Sequence, residues 1–527
     1  MKLYKAFATV GGLTLLSRVF GFVRDILIAA SLGTGWVADA FVVAFRFPNL
    51  FRRLFGEGAF NSAFVPIFAK KFEGEGKDAA RFAEEAMAGL LFVLLILTIV
   101  AELTMPFLMY ALAPGFEAEP EKFDLAVLLT RITMPYLLCM SLVALMSGAL
   151  NSVGRFAESS SVSIVLNVVM AVATIIALWL GYKAGPEAGI IQALAVFVAG
   201  ILQLVLLMWG MRRAGLSLQL RWPKWTADLR RLWQLGIPGI ISGGVTQLNI
   251  AIGTMIATMQ PGAVSQLYYA DRLYELPLAI VGIAVGVVLL PDVARQLRAG
   301  NIEGVMDSQN RSLEFAMLLT IPAALALAII PSEIVRVLFE RGAFSATDTN
   351  ATATVLAVFA LGLPAFVLIK VFSPAYFARE DTKTPMRYAT ISLTANTLGS
   401  IALFFLFRSL GWMPHLGIAI ATALGGWLNA FLLWSTLHAR GEFVADARLR
   451  RNLPLIGLAS VAMAAVLYAA ARVFGSELHS GHGVLADALA LTVLVLLGMA
   501  VFAGMILATG VMSPAQFKRF TRRGGSA

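Results

Sequence analysis

The sequence predicts an all-α polytopic membrane protein of about 14 transmembrane helices, built as two parallel six-helix halves plus two extra C-terminal helices. Apolar residues make up 59% of the 527 residues and charged residues only 14%, against roughly 25% charged in a typical soluble domain. Fourteen apolar stretches reach the length of about 20 residues that a helix needs to cross a bilayer. Short motifs also repeat along the chain. The composition excludes an ordinary soluble enzyme.

The predicted spans follow one another along the chain, with short loops between most of them. They cover residues 8–30, 36–52, 88–113, 125–150, 162–182, 188–210, 235–259, 266–291, 313–338, 352–373, 388–407, 416–437, 453–471 and 484–510. Arg18, Arg24 and Asp25 interrupt the first stretch, and no small-residue cleavage site follows it. We therefore expect this stretch to be retained rather than removed as a signal peptide.

Cysteine and histidine are scarce. The chain has one cysteine, Cys139, which excludes an intramolecular disulfide and a thiolate metal cluster, and four histidines. The sequence therefore predicts no metal site, no catalytic residue and no cofactor.

The basic residues predict the orientation in the membrane. Of 41 lysines and arginines, 29 lie at the N-terminus, in loops after even-numbered spans or in the C-terminal tail, whereas five lie in loops after odd-numbered spans. Because positive residues accumulate on the cytoplasmic side, both termini are expected in the cytoplasm. This explains the net charge of +10 without nucleic acid. The basic segment 212–231 and the tail are expected to contact anionic headgroups of membrane lipids.

Four pairs of motifs recur at nearly one offset and join each span to the span six further on. The pairs are Val65–Lys70 with Leu290–Arg295, Pro106 with Pro331, Pro135 with Pro364, and Asn167 with Asn396. Six spans is an even number, so the second copy is predicted to have the same orientation as the first. The predicted parts are an N-terminal half (1–211), an amphipathic cytoplasmic linker (212–234), a C-terminal half (235–440), spans 13 and 14 (441–511) and a basic cytoplasmic tail (512–527).

Charged residues inside spans concentrate in spans one, two and eight. A charge at mid-membrane costs at least about 2.5–3.5 kcal/mol on insertion scales, so such residues usually face a cavity. We expect a central cavity lined by these spans and by glycine-rich span seven. Its arginines suit the oxygens of a phosphate or diphosphate, because guanidinium is a planar, bidentate donor. The charges are Arg18, Arg24 and Asp25, then Asp39, Arg46, Arg52, Arg53 and Glu57 in and just after span two, then Asp271, Arg272 and Glu275.

A structural interpretation of the same charges stays open. Arg18 with Asp25, Asp39 with Arg46, and Arg272 with Asp271 or Glu275 could form ion pairs that only hold the helices together. Arg52 and Arg53 could equally be simple topology signals at the cytoplasmic end of span two.

Several motifs together resemble the MurJ/MviN family, the lipid II flippases of the multidrug/oligosaccharidyl-lipid/polysaccharide exporter superfamily. The motifs are Ser17–Asp25, Ala38–Phe41, Phe47–Arg53, Gly56–Phe60, Tyr268–Pro291 with Tyr269–Arg272 as its core, and Tyr376–Pro385. The resemblance covers spans one to twelve, whereas spans thirteen and fourteen match in number and hydropathy.

The resemblance implies a transporter, not an enzyme. Its cargo would be undecaprenyl-diphosphate-linked disaccharide-pentapeptide, moved from the inner to the outer leaflet of the bacterial inner membrane by alternating access. Cell-wall synthesis proteins are further implied partners. The implied substrate-binding residues are Arg18, Arg24, Arg52 and Arg272, with Asp25, Asp39, Asn49, Glu57, Ser265 and Glu275 as implied cavity or gate residues.

The driving force is predicted less directly. The resemblance suggests Asp381 and Thr397 as the candidate cation site. Some relatives use a cation site with an acid in span seven, where this chain has only polar Gln247 and Asn249, and this difference argues against coupling to a cation. The membrane potential would drive an anion outward, at about 2.3 kcal/mol per charge per 100 mV. Collapsing the potential in vesicles tests this coupling.

Two other classes of function compete with this interpretation. The first is another transporter of the same superfamily, either a drug or cation antiporter or an exporter of another polyprenyl-linked oligosaccharide. An antiporter would be expected to have an acidic and aromatic cavity without this excess of arginine. A membrane enzyme acting on prenyl diphosphates would need paired carboxylates or histidines at an aqueous face, which the sequence does not offer.

We expect spans thirteen and fourteen to form a groove for the lipid tail, because they lie outside the repeat. A photoreactive prenyl chain should then cross-link to residues 453–510, and labelling elsewhere only would contradict this assignment.

Overall fold

A computed structural model describes residues 2–52, 59–74, 76–216, 218–219, 221–224, 226–479 and 483–512. The predicted all-α class is confirmed, since the elements of this described part are α-helices and one short 3₁₀ helix. Of the predicted site residues, Arg53 and Glu57 lie outside the described residues, as does almost all of the predicted tail at 512–527.

The chain divides into two compact units, of which the first contains the residues up to Ser265 together with Arg341–Phe344. Its helices are α1 (Lys2–Leu32), α2 (Trp36–Arg52), α3 (Ala59–Gly74), α4 (Gly76–Leu103), α5 (Met105–Leu112), α6 (Pro120–Thr133), α7 (Tyr136–Ser152), α8 (Phe156–Trp179), α9 (Pro186–Arg213) and α10 (Ala227–Ala257), with the 3₁₀ helix at Pro114–Ala118.

The second unit contains Gln266–Glu340 and the residues from Ser345 onward. Its helices are α11 (Ala263–Arg298), whose first turn belongs to the first unit, α12 (Ile302–Ile329), α13 (Pro331–Phe339), α14 (Ala346–Phe377), α15 (Lys383–Ser409), α16 (His415–Ala439), α17 (Ala447–His479) and α18 (Val484–Ala508). The predicted domain boundaries stay predictions, although α10, which carries predicted span seven, belongs to the first unit.

Ten stretches of helix in the described part are long and apolar enough to cross a membrane. They correspond to predicted spans three to six and nine to fourteen, so the chain is a multi-pass membrane protein. The four remaining predicted spans lie on α1, α2, α10 and α11. Helix α2 has only 17 residues, and charges interrupt the apolar runs of α1 and α11. The total of 14 spans therefore stays a prediction.

Prolines divide three of the predicted spans into two helices each. Span three breaks at Thr104 between α4 and α5, span four at Pro135 between α6 and α7, and span nine at Ile330 between α12 and α13. Proline lacks an N–H group and is tolerated in the first turn of a helix. Pro106 and Pro331, which are paired in the sequence repeat, both lie in the first turn of a short helix that follows a long one.

Equivalent helices of the repeat pack in equivalent ways within their own units. In the first unit α8 packs on α9 and α9 on α7, and in the second unit α15 packs on α16 and α16 on α14. The first helix of each half differs, because α1 packs on α8 whereas α10 packs on α3, α4 and α5.

The predicted amphipathic linker is held by the acidic face of α4. Glu84, which is 4% exposed, forms an ion pair with Arg221 and accepts a hydrogen bond from the backbone N–H of Gln219 at 2.9 Å. Glu85 accepts from Thr226 at 2.8 Å, and Thr226 caps the start of α10. Trp222 is 88% exposed, in keeping with a position at the lipid headgroups.

Helices α17 and α18 pack firmly on the second unit. Met463 and Leu467 of α17 and Leu494 of α18 share an apolar cluster with Ile330. At the predicted cytoplasmic end, Glu314 of α12 accepts hydrogen bonds from Arg448 at 3.1 Å and Asn452 at 2.7 Å. Helix α17 is therefore fixed to α12 through Glu314, and both α17 and α18 contact Ile330 directly after α12.

The loop between α14 and α15 is locked by Asp381. Its carboxylate accepts hydrogen bonds from the backbone N–H and hydroxyl of Thr384, at 3.0 and 2.7 Å, and from Arg440 at the end of α16 at 3.0 Å. The hydrogen bonds from Thr384 and the Arg440 guanidinium lower the pKa of Asp381 to about 2. Because an unfolded aspartate has a pKa of about 3.9, this contribution to stability is present above about pH 4 and is lost as the pH falls towards 2.

The substitution Asp381→Asn is therefore expected to destabilise the protein at pH 7, by about 1 kcal/mol or less because the pair is partly exposed. The difference from the unsubstituted protein should shrink as the pH falls from 5 towards 2, and thermal unfolding in detergent at several pH values measures it. Asp307→Asn is the matched control, since Asp307 is 72% exposed in its ion pair with Arg311. A difference that stays constant across this pH range would contradict the assignment.

Candidate functional site

Arg24 is the buried arginine of α1, with 7% exposure. Its Nε and Nη2 donate to one oxygen of Asp25, at 3.0 and 2.7 Å, and its Nη1 donates to the side-chain oxygen of Asn167 at 2.8 Å. The guanidinium carbon also lies 5.9 Å from the ring centre of Phe45. These contacts give the guanidinium one fixed position.

Asn167 belongs to α8 and fastens this helix to α1. Its amide nitrogen donates to the backbone carbonyl of Ser17 at 2.9 Å, while its oxygen accepts from Arg24. Gly21 faces it, and a Cβ added there would lie 3.2 Å from the amide nitrogen of Asn167. A glycine one turn before Arg24 thus lets the two helices approach closely enough for the asparagine to reach both groups.

Arg18 and Asp25 share a face of α1, as the sequence predicts, but they do not pair. Seven residues correspond to about 10 Å along a helix, which is too far for an ion pair. Asp25 is 3% exposed and binds Arg24 instead, whereas Arg18 is exposed. The alternative pairing of Arg18 with Asp25 is wrong for this reason.

Asp39 is fully buried in the first turn of α2. One carboxylate oxygen accepts from the backbone N–H and the hydroxyl of Ser265, at 3.0 and 2.8 Å, and the other accepts from the backbone N–H of Gly262 at 2.8 Å. We call this arrangement of Asp39, Gly262 and Ser265 the external clamp, because it lies at the predicted external ends of the helices. Asp39 thereby caps the N-terminus of α11, where a negative charge is favourable.

The pairing of Asp39 with Arg46 is also wrong. Asp39 binds Lys122 of α6, with 3.0 Å between the ammonium and carboxylate groups, and Arg46 donates to the hydroxyl of Thr254 on α10 at 2.7 Å. Two helical turns again separate the two residues of α2 that the sequence suggested as partners.

Gly33 and Gly342 let the end of α1 and the segment Arg341–Phe344 pack closely, backbone against backbone, at the same predicted external end. Gly33 and Gly342 both have a φ of 63°, which favours glycine, and a Cβ on either would clash with the backbone of Ala343 or Ala30, respectively. The N–H of Ala343 donates to the carbonyl of Ala30 at 2.8 Å. The segment Arg341–Phe344 is thereby bound to the end of α1.

Arg272 lies on α11 between two carboxylates, as the ion-pair alternative predicted. Its Nη1 is 3.1 Å from Glu275 and its Nη2 is 3.6 Å from Asp271, and its guanidinium carbon is 5.0 Å from the ring centre of Tyr268. The side chain remains 29% exposed. Arg272 is thus paired and still accessible.

The remaining predicted site residues of the described part are Asn49, Arg52, Thr397 and Asp381. The amide of Asn49 donates to the carbonyl of Phe45 within α2, at 2.7 Å, and Arg52 is the last residue of that helix. Thr397 lies about 14 residues into α15, or about 21 Å along its axis, so one cation cannot bind both Thr397 and Asp381. The joint cation site predicted from these two residues is therefore not formed. In the described ranges, no three His, Cys, Asp or Glu residues are grouped so that they could hold a metal ion.

The site residues missed in the sequence include Asn167, Lys122 and Gly262 of the external clamp. Asn167 was recognised only as an anchor of the repeat, and Lys122 only as a basic residue of an external loop. The positive-inside rule offered a signal for Lys122, because a lysine on the external side runs against it and calls for a partner. The sequence held no such signal for Asn167 as a partner of Arg24.

The guanidinium groups described above have the chemistry to bind an anion. Arg18 and Arg24 lie in the first unit and Arg272 in the second, and their convergence on one cavity stays a prediction. A guanidinium that is held in place binds phosphate oxygens well, because it loses little conformational entropy on binding.

Comparisons with known proteins give one consistent family. The family model described as "Lipid II flippase MurJ" matches residues 28–494. A probable lipid II flippase MurJ of Rhizobium tropici is 47% identical, covering 99% of this chain and 97% of its own length. The lipid II flippase MurJ of Burkholderia cenocepacia is 34% identical over 88% of this chain and 89% of its own.

Solved structures agree with the sequence relatives. A lipid II flippase MurJ in an inward closed conformation superposes with a TM-score of 0.76 at 25% identity, covering 95% of this chain and 98% of that one. An inward-facing multidrug transporter of the MATE family has a TM-score of 0.65 at 14% identity, over 82% of this chain and 98% of its own, and shares the fold alone. The chain therefore belongs to the MurJ family of lipid II flippases.

Proposed function

We propose that this chain is a flippase that moves lipid II, the undecaprenyl-diphosphate-linked disaccharide-pentapeptide, from the inner to the outer leaflet. The names of relatives that match nearly the whole chain support this cargo. A charged sugar-peptide head cannot cross about 30 Å of hydrocarbon unshielded. The protein would shield the head while the prenyl tail stays in lipid.

The observation that carries the proposal is the guanidinium of Arg24. It is buried within a membrane helix and held by a carboxylate and an amide from two directions. A buried charge needs a reason to be retained, because apolar residues of similar volume usually stabilise a protein as well or better. Binding a diphosphate is such a reason, since its oxygens can accept the same hydrogen bonds that Asp25 now accepts.

In this proposal the Asp25 carboxylate occupies the position beside Arg24 that a diphosphate oxygen takes when cargo is bound. Without cargo, Asp25 satisfies Nε and Nη2 of Arg24 with one oxygen, and a diphosphate oxygen would replace it. Asn167 keeps Nη1 in place during the exchange, because it is fixed to the backbone of Ser17. The site would therefore be pre-organised in both states, which lowers the entropic cost of binding.

Alternating access would deliver the head to the outer leaflet. In this state Asp39 holds Gly262 and Ser265, and Gly33 and Gly342 allow the external segments to pack closely. Release of the external clamp would open the external side.

Further parts of the proposal follow from chain orientation and family. We place the protein in the bacterial inner membrane with both termini in the cytoplasm, in contact with membrane lipids and with cell-wall synthesis proteins. A cation antiporter is the competing function. The likeness to multidrug transporters extends only to the fold, whereas the relatives named as lipid II flippases match in sequence. The membrane potential or a monovalent cation as driving force stays a prediction.

The substitution Arg272→Ala tests the assigned arginines. It is expected to lower the lipid II exposed on the outer leaflet about 10-fold or more, because a hydrogen bond to a charged group contributes about 1.5–3 kcal/mol. The measurement is the accessibility of lipid II to an externally added modifying enzyme, in cells that depend on the variant.

Arg298→Ala is the matched control, since Arg298 lies in the last turn of the same helix. Arg272→Lys keeps the positive charge but loses the planar, bidentate guanidinium group, so we expect lipid II exposure between that of the unsubstituted protein and that of Arg272→Ala. Normal exposure of lipid II with Arg272→Ala would show that Arg272 does not bind the cargo. Binding of cationic dyes without any effect on lipid II would favour the antiporter instead.

A second prediction concerns Asn167, which orients Arg24 without binding cargo itself. Asn167→Ala should lower transport several-fold, and Asn167→Asp should lower it further, because a second carboxylate would compete with the diphosphate for Arg24. Transport and thermal stability are measured on the same preparations, so that loss of folding is recognised.

The repeat supplies the control for this prediction. Asn396 occupies the equivalent position and accepts hydrogen bonds from Ser400 at 3.2 Å and Thr422 at 3.4 Å. Asn396→Ala should therefore leave transport nearly unchanged. If Asn167→Asp transports better than Asn167→Ala, competition between the carboxylate and the cargo is wrong.

A further inference from the structure

Lys122 is a buried lysine at the external end of α6, with 1% exposure. Its ammonium lies 3.0 Å from Asp39, 3.8 Å from Glu119 and 4.4 Å from the ring centre of Phe116. Both members of the pair with Asp39 are removed from water, since Asp39 is 0% exposed. A buried charge left without its partner is strongly unfavourable, so each of the two depends on the other.

Asp39 has two kinds of partner, which differ in the unit that the helix of each partner belongs to or continues into. Lys122 lies on α6, which packs on α2 within the first unit. Gly262 and Ser265 begin α11, and the chain passes into the second unit directly after Ser265. All four residues belong to the first unit, but Gly262 and Ser265 lie at the N-terminus of α11, most of which belongs to the second unit, whereas Lys122 lies on a helix that belongs wholly to the first unit.

We propose that Lys122 is a positioning residue of the external clamp. Its ammonium group stays bound to the Asp39 carboxylate when the clamp opens. The proposal rests on alternating access as described above. Opening removes the two N–H groups and the hydroxyl of α11 from the carboxylate, and Lys122 remains as its partner. The ammonium thus lowers the free energy of the open state relative to the closed state.

If Lys122 stabilises the open clamp, its loss should change how often the clamp opens, which a residue that only packs in the core would not do. Without Lys122, an open clamp would leave Asp39 with none of the partners described here, whereas a closed clamp would still give it three hydrogen bonds. Loss of Lys122 should therefore hold the clamp closed. Loss of the Asp39 charge should have the opposite effect, because it weakens the bonds to Gly262 and Ser265.

The experiment places a reporter cysteine in the clamp. Val264 is 0% exposed between Gly262 and Ser265, and the single native cysteine can be removed, so Val264→Cys in a Cys139→Ala background reports opening. Cells are treated from outside with a membrane-impermeant maleimide, and the rate of labelling is measured. Relative to this background, Asp39→Asn should raise the rate several-fold, whereas Lys122→Met should lower it several-fold and abolish transport.

Opposite changes in the labelling rate of the two variants distinguish the proposed role from a structural one, because a damaged fold would raise labelling in both. A rate with Lys122→Met that is raised or unchanged overturns the proposal. If Lys122→Met does not accumulate, the double variant Asp39→Asn/Lys122→Met decides. In this variant the loss of Lys122 should no longer lower the labelling rate, since the proposed effect of Lys122 on opening requires the Asp39 carboxylate, and a rate several-fold below that of Asp39→Asn overturns the proposal.

Labelling needs no cargo, so the result is independent of what is transported. The expected labelling rates in a protein that moves no lipid II would overturn the proposed cargo and leave the role of Lys122 in place. Normal lipid II transport with Lys122→Met would overturn the role of Lys122 and leave the cargo in place.

Discussion

A charge inside a membrane helix must find a partner, and this requirement organises the described structure. Arg24 binds Asp25 and Asn167, Asp39 binds Lys122, and Glu314 binds Arg448 with Asn452. Each of these sets includes a residue from another helix, because a charged group that is removed from water needs a partner that compensates for its lost hydration. The charges therefore act as cross-links between helices before they act as functional groups.

The same requirement explains why the functional helices look least like membrane spans. Helices α1, α2 and α11 carry the charges, and α10 carries the glycines and Thr254, whereas the ten stretches that satisfy length and hydropathy mostly build the scaffold. Apolar helices can face lipid without further support. Polar helices depend on neighbours, as α1 depends on α8 through Asn167.

Much of the fold and part of the site could be predicted from the sequence. The all-α class and the family were predicted correctly. The ion pair of Arg272 with Glu275, which the sequence left open as an alternative, is formed, because residues three positions apart on one helix are neighbours whatever surrounds them. The pairs within α1 and α2 were wrong, because residues on one face of a helix two turns apart are separated by about 10 Å. Asp39 finds Lys122 across 83 positions of the chain, a distance over which local periodicity carries no information.

The sequence by itself determined that this is a helical membrane protein of the MurJ type, and it indicated the orientation and the charged helices. Hydropathy, charge bias and motif spacing are properties of the chain that need no knowledge of its neighbours. Only the tertiary structure decided that Asn167 holds Arg24, that Asp39 caps α11, and that Lys122 is the buried partner of Asp39. These contacts extend over a few ångströms between distant segments, so they exist only once the helices have packed.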